Sequence, residues 1–331
     1  MVNSTKRVGL LVGRERSFPD ALIAEVSRRE PSGGVTVDYA SIDAASAHEA
    51  PPYDVLVDRI SHEVSCYQPW LKLAAMCGTR VINNPFWRIA DDKFFNAGLA
   101  ARLGVSVPKT RLLPSKSYGS DVTAGSLRNL RLVDWNALAE DLGFPMYMKP
   151  HWGGGWRDVT RVTSMEELHA AYDKSRALTM ILQEEILWTR YVRCIVIGQR
   201  DVRPALWDPT RPHAERYVRA GESMPALDAT LEARAVKDAL TITRALGYDM
   251  NTVELAITKD GTPYAIDFMN SAPDLDVASL GEAHFAWAIE KMADLVVRAA
   301  HEDAAPKYRW DQLLRDGPSE TPPRRGPHLG E

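Results

Sequence analysis

Apolar and polar positions follow two rhythms along the first quarter of the chain. Residues 8–12 form a short apolar run closed by Gly13, and residues 35–39, 53–57 and 79–83 repeat that strand-like character. Between these runs, residues 18–29 and 68–78 place apolar side chains at helical spacing. Strands alternating with helices predict a mostly parallel α/β sheet over residues 1–85. Residues 87–103 predict a further helix stopped by Gly104, and residues 105–110 an extended link. Residues 112–130, rich in serine, glycine and proline, predict a long loop or insertion. Ser164 followed by Glu167 is a capping-box signature that opens a helix through Tyr172. From Met180 strands predominate, until a last helix over residues 283–300. The expected organisation is an N-terminal unit (1–85), a central unit (86–180), a C-terminal unit (181–302) and a tail (303–331). The tail's end, residues 317–331, has the proline, glycine and charge content of a disordered segment.

Composition narrows the function classes. With 331 residues the chain is long enough for two or three packed subdomains. A net charge of −4 gives no electrostatic reason to expect nucleic acid or an anionic membrane as partner. No apolar run approaches the ~20 residues of a membrane span, and the first residues lack the pattern of a secretory leader. A cytoplasmic protein is therefore expected. Cys66, Cys77 and Cys194 form no C-x-x-C pair, which suits a reducing compartment. All three are expected to be buried as small apolar side chains.

Two segments carry candidate chemistry. Residues 252–267 read TVELAITKDGTPYAID, and Asp260-Gly261 is a type I′ hairpin signal. A two-residue loop there sets Glu254 opposite Asp267. It also predicts a core face of Val253, Leu255, Ile257, Tyr264, Ile266 and Phe268. The other face would carry Glu254, Ala256, Thr258, Pro263, Ala265 and Asp267. Opposed carboxylates repel at ~5 Å between Cβ atoms, and a hard divalent cation relieves that repulsion. A solvated hairpin face is the competing reading, and the pattern alone leaves both open. The second segment runs from a short strand ending in Lys149 into Gly153, Gly154 and Gly155. Glycines let backbone N–H groups approach phosphate oxygens, and the lysine adds a positive charge. Neither a Walker loop nor a dinucleotide-binding glycine fingerprint is present.

Taken in order, these segments resemble the ATP-grasp superfamily, most closely its carboxylate–amine ligases, over roughly residues 80–280. Asn83-Asn84-Pro85 with Asp92-Lys93 is similar to the family's N-x-P…D-K segment. Residues 104–110 resemble its glycine–proline link, and Phe144-Pro145 through Lys149-Pro150 its F-P-x-x-x-K-P strand. The resemblance implies an α/β, α+β ATP-grasp fold. ATP would lie between a small central unit and a C-terminal antiparallel unit. It implies Lys93 and Lys149 as phosphate-binding lysines under a mobile loop of Gly153, Gly154 and Gly155. Gln183, Glu184, Glu185 and Ile186 would line the adenine, and Arg193 would contact phosphate or the reaction intermediate. Tyr191 stands where the family has an acid. Glu254 and Asp267 match the two metal-ligating acids with Asp and Glu exchanged. Asn270 stands one residue later than the usual third ligand, so only a bulge would turn it towards the metal.

The implied chemistry is ADP-forming amide synthesis through an acyl phosphate. ATP and Mg2+ are the implied cofactors, with Mn2+ as an alternative. The implied substrates are a small carboxylate and an amine, such as amino acids or a peptide. A phosphotransferase and a non-catalytic ATP-binding module are the competing readings, and the oligomeric state stays open, homodimers being common. Arg59 and His62, after a first-unit strand, are candidates for holding an acidic substrate group, against a plain polar loop. Arg203 is a further substrate candidate. Taken singly, Arg203, His213, Arg216, Tyr217 and Arg219 read as surface charge.

Overall fold

A computed structural model of the chain describes residues 5–87, 92–154, 156–218, 221–302, 308 and 311. The first unit comprises β1 (Lys6–Leu11), α1 (Ser17–Arg29), β2 (Val35–Tyr39), β3 (Val55–Asp58), α2 (Tyr67–Met76) and β4 (Arg80–Ile82). Its strands form a parallel sheet in the order β2-β1-β3-β4, as the alternation predicts. Helix α1 docks through Phe18, Leu22 and Val26, spaced four apart so that they share one face. Helix α3 (Lys93–Arg102), capped by Asp92, then leads to the central unit.

The central unit contains β5 (Thr110–Leu112), α4 (Trp135–Leu142), β6 (Met146–Pro150), β7 (Thr160–Val162), α5 (Met165–Ser175) and β8 (Met180–Glu184). These strands form an antiparallel sheet ordered β5-β8-β6-β7. The change from central to C-terminal sheet therefore falls between Glu184 and Arg190, a few residues beyond 180. The capping box opens α5. Ser164 Oγ accepts from the Glu167 N–H at 3.2 Å, and the Glu167 carboxylate accepts from the Thr163 N–H at 2.7 Å.

The C-terminal unit comprises β9 (Arg190–Ile197), β10 (Asp201–Leu206), α6 (Ala229–Ala245), β11 (Met250–Ile257), β12 (Pro263–Asp267), α7 (Val277–Leu280) and α8 (Glu282–His301). Its antiparallel sheet is ordered β10-β9-β11-β12. Helix α6 is a 17-residue helix within the stretch where strands were expected to predominate, and the sequence pattern did not single it out. Asp228 caps it, accepting from the Thr230 and Leu231 N–H groups at 3.0 and 2.9 Å. Its buried stripe includes Ala235 and Ala239, and alanine hardly registers as an apolar period. It packs on Val192, Cys194, Val196, Val253, Leu255 and Ile257, closing one face of the sheet. Helix α8 joins β1 and β3 of the first unit to the lower half of β9 and β11 in one core.

Two further expectations are corrected. Cys66 and Cys77 are exposed, and only Cys194 is buried. The two exposed thiols sit at the ends of α2, off the face that buries Trp70, Leu71, Ala74 and Ala75. The hairpin loop has three residues instead of two. The Thr258 N–H donates to the Thr262 carbonyl at 3.0 Å, and Gly261 takes φ +81°. That is a turn closed by a left-handed glycine. Ile257 then pairs with Pro263, Ala256 with Tyr264 and Leu255 with Ala265, one step from the expected register. A bulge at Ile266 restores the pairing of Glu254 with Asp267. The slip exchanges faces on β12, as a one-residue shift must. Ala265 packs under α6, while Ile266 turns to the opposite side.

The described residues contain no helix long and apolar enough to cross a membrane. Of the tail, only residues 308 and 311 are described, so the expected disorder of residues 317–331 lies outside the described residues.

Candidate active site

A cleft of about 570 Å3 lies between the central and C-terminal sheets. Each wall is made by the two-residue period of its strands. On β6, Met146 and Met148 are buried in the central core, so Tyr147 and Lys149 face the cleft. On β8, Met180 and Leu182 face that core and Gln183 lines the cleft. On β11, Val253, Leu255 and Ile257 face α6, while Glu254 and Ala256 line the cleft.

The register places three charged side chains in one row across the C-terminal sheet. Arg193 pairs with Glu254, and Glu254 pairs with Asp267. Arg193 Nη1 is 3.7 Å from Glu254 Oε1, and Arg193 Nη2 donates to Thr252 Oγ1 at 3.2 Å. Tyr191 donates its hydroxyl to Glu254 Oε2 at 3.2 Å. Burial pushes the Glu254 carboxyl above the usual carboxylate range; Arg193 opposes this and the Asp267 charge adds to it. Burial and the acid charge also raise the Tyr191 phenol well above its ordinary value, so it remains a donor. Among the described residues Asp267 has neither hydrogen bond nor ion pair, and its carboxylate faces the cleft.

Lys149 and Lys93 stand on the opposite wall. Burial pulls the Lys149 ammonium down to about 8; Asp267 and Glu254 raise it and the Lys93 charge lowers it. Lys93 opens α3, and its ammonium donates to the Gly153 carbonyl. Gly153 takes φ +99°, where a side chain is strained, and a Cβ on Gly154 would meet nothing within 4 Å. Gly155 lies outside the described residues. Trp152 and Trp156 flank this loop, both more than half exposed at 55% and 58%, and Trp156 lines the cleft.

The remaining candidates divide. Glu184, Glu185 and Ile186 line the cleft mouth. The Glu184 carboxylate accepts from the Lys109 N–H at 2.7 Å, and Glu185 forms a two-point pair with Arg161 at 2.7 and 2.9 Å. Asn270 does not line the cleft. Its N–H donates to Asn251 Oδ1 at 2.8 Å, and its own Oδ1 accepts from the Ala272 N–H at 3.2 Å. Arg59 is buried between Glu15 and the Pro273 carbonyl, 2.5 Å away, where it ties the first unit to the C-terminal one. Asn83 makes a similar bolt to the backbone of Asp249, Met250 and Ser271. His62 is exposed beside Glu63. Arg203 lies beyond the cleft against His284. Sequence reasoning passed over Tyr147 and Ile266 as cleft residues. The alternation along β6 could have found the first, but the bulge hides the second.

The donor set can be tested for a divalent cation. Glu254 and Asp267 offer hard oxygen donors, with the Asp267 carboxylate unpartnered among the described residues, and two lysines face them for phosphate. No third acid, histidine or cysteine joins them among the described residues. Such a sparse set fits magnesium, which takes few carboxylates and completes its shell with phosphates and water.

No family model matches the chain. A D-alanine–D-alanine ligase from Cupriavidus taiwanensis is 26% identical over 193 residues, covering 54% of this chain and 59% of the relative. The chain thus spans somewhat over half the length of the curated relatives it matches. The solved D-alanine–D-alanine ligase from Bacillus anthracis, complexed with ATP, superposes with a TM-score of 0.61 at 16% identity, covering 89% of this chain and 96% of that one. A RimK domain ATP-grasp protein from Sphaerobacter thermophilus gives 0.60 at 19% identity, covering 88% and 99%. By its two antiparallel sheets, the cleft between them and the likeness to these solved structures, the chain has the ATP-grasp fold.

Proposed function

We propose that the chain is an ATP-dependent carboxylate–amine ligase that forms an amide and releases ADP and phosphate. The observation that carries this reading is that Glu254 and Asp267 face Lys149 across the cleft, with Arg193 beside Glu254. A phosphate-binding wall and a paired-carboxylate wall meet there. The similarity to ATP-grasp ligases supports the reaction class.

Glu254 and Asp267 would hold magnesium, which supplies charge neutralisation for the phosphate groups. Lys93, Lys149 and the glycine loop orient the γ-phosphate, since phosphoryl transfer is mainly positioning and electrostatics. The substrate carboxylate oxygen attacks the γ-phosphorus, the bond to ADP breaks, and an acyl phosphate forms. The amine nitrogen then attacks the acyl carbon, phosphate departs and the nitrogen gives up a proton. Arg193 stabilises the oxyanion of that second step. The Tyr191 hydroxyl holds Glu254 through Oε2, while Oε1 lies 3.7 Å from Arg193 Nη1.

The test combines ADP release with product analysis. A ligase gives ADP, phosphate and an amide in equal amounts, dependent on magnesium and lost in Asp267→Ala and Lys149→Ala. A stable phosphorylated product would assign a phosphotransferase instead. No thermal shift with ATP and magnesium would sink the catalytic reading altogether.

A further inference from the structure

The sheet face that carries Glu254 continues beyond the cleft towards α8, and its chemistry changes there. Ala205 pairs with Arg193, so Arg203 and Trp207 are the diagonal neighbours of Arg193 on one face. Two guanidinium groups lie over the Trp207 ring, Arg193 at 5.3 Å and Arg216 at 5.2 Å from its centre. Tyr217 pairs with Trp207 across an isolated bridge, and its ring stands 5.7 Å from that of His284. Arg203 Nε donates to His284 Nδ1 at 2.9 Å, which completes the cluster. An accepting Nδ1 means a neutral imidazole with its proton on Nε2. Burial and the Arg203 charge both favour that neutral form.

The acids nearby are committed. Asp208 accepts from Thr210 and pairs with Arg211. Asp274 accepts from the Ser279 hydroxyl and the Asp276 N–H. Glu254 is held by Tyr191 and Arg193. Among the described residues, neither Arg203 nor Arg216 has a carboxylate within ion-pair distance. Among the described residues, two buried polar atoms in this cluster, Arg193 Nε and Tyr217 Oη, have no hydrogen-bond partner. A buried donor without an acceptor is costly, because it gives up its hydrogen bonds to water and gains none in return. Two of them beside three guanidinium groups point to a ligand rich in acceptors.

We propose that Arg203, Tyr217 and His284 form a subsite for a second carboxylate on the substrate, beside a first carboxylate held for activation by Arg193 and Arg216. The division of labour rests on the ligase reading, and the cluster itself does not. Arg216 shares the Trp207 ring with Arg193, which stands beside Glu254, and so belongs to the reacting end. Arg203 lies at the far end, where one guanidinium and two neutral donors match a single carboxylate. A phosphate there would leave more negative charge than this end answers. The substrate class is therefore a short dicarboxylate, such as an amino acid with an acidic side chain.

Calorimetric titration of the full chain with magnesium and ADP tests this. The probes are glutarate, L-glutamate and D-glutamate, each against its monoamide, and 4-phosphonobutyrate. At least one diacid is expected to bind about tenfold tighter than its amide. That preference should shrink to about threefold or less in Arg203→Gln, while the thermal shift with magnesium–ATP is kept. Tyr217→Phe retains the ring and should weaken the diacid several-fold, covering the case in which Arg203→Gln does not fold. The proposal is overturned if no diacid beats its amide, if the preference survives in both variants, or if 4-phosphonobutyrate binds tightest. Diacid binding without ATP-dependent ADP release would sink the ligase reading and leave the subsite standing. ADP release driven equally well by neutral monocarboxylates would do the reverse.

Discussion

Strands β9 and β11 present two faces made by alternate residues of the same segments, and the two faces follow opposite rules. Under α6 lie Val192, Cys194, Val196, Val253, Leu255 and Ile257, all essentially buried and all apolar. On the other side, Tyr191, Arg193, Thr252 and Glu254 place a phenol, a guanidinium, a hydroxyl and a carboxylate in a row. The first face lowers the free energy of the fold by removing carbon from water. The second holds a buried carboxylate and an orphaned guanidinium nitrogen that an apolar surface would not contain. Stability and chemistry are thus separated by one residue along a strand, so substitutions on either side should have separable consequences.

The largest separation is expected at Asp267. Asp267→Ala should lower ATP-dependent turnover by roughly a thousandfold or more, with the melting temperature of the free protein unchanged or raised. Steady-state ADP release beside a melting curve checks both halves. On the other face, Leu255→Ala should cost about 2–5 kcal/mol of folding stability, read by denaturant unfolding, while turnover at low temperature stays close to wild type. Loss of turnover there without loss of stability would break the comparison.

Lys149 offers a pH test of the polar face. Burial lowers its ammonium to about 8, so the free site loses this charge as pH rises past that value. Affinity for ATP should fall by up to about tenfold per pH unit above it. The linkage to stability has the opposite sense. Between about 8 and the usual lysine value near 10.4 the unfolded chain holds the proton more tightly, so the free protein gains stability with rising pH. Lys149→Arg should flatten both profiles, at lower absolute affinity. The smallest effect is expected at the hairpin turn. Gly261→Ala forces a side chain into φ +81° near Leu231 and should cost about 1 kcal/mol, with the cleft unaffected.

How much of this was legible in the sequence differs from element to element. The first sheet and its helices follow the expected order because the apolar runs of the strands and the helical spacing of α1 and α2 are clear periods. Lys93, Lys149, Gly153, Gly154 and Gln183, named together only by the family resemblance, line one cleft. Helix α6 was hidden because its buried stripe relies on alanine. The Ile266 bulge was hidden because Asp260-Gly261 is compatible with loops of two or three residues, and only packing against α6 selects the register. Arg59 reads as a ligand candidate, against a plain polar loop, because α/β sheets place ligand sites after their strands. Its enclosure is completed by the Pro273 carbonyl, 214 residues further along the chain.

By itself, the sequence determined the local rules: which runs of the first unit become strands, where Ser164 starts a helix, and that residues 252–267 fold back on themselves about Asp260-Gly261. Tertiary structure alone decided which charges meet across the cleft, and that Arg203, Arg216, Tyr217 and His284 form one cluster instead of scattered surface polarity. The physical reason is one of range. Backbone period, capping and turn chemistry act within a few residues, whereas burial and charge pairing act between groups that are neighbours only after three sheets have packed.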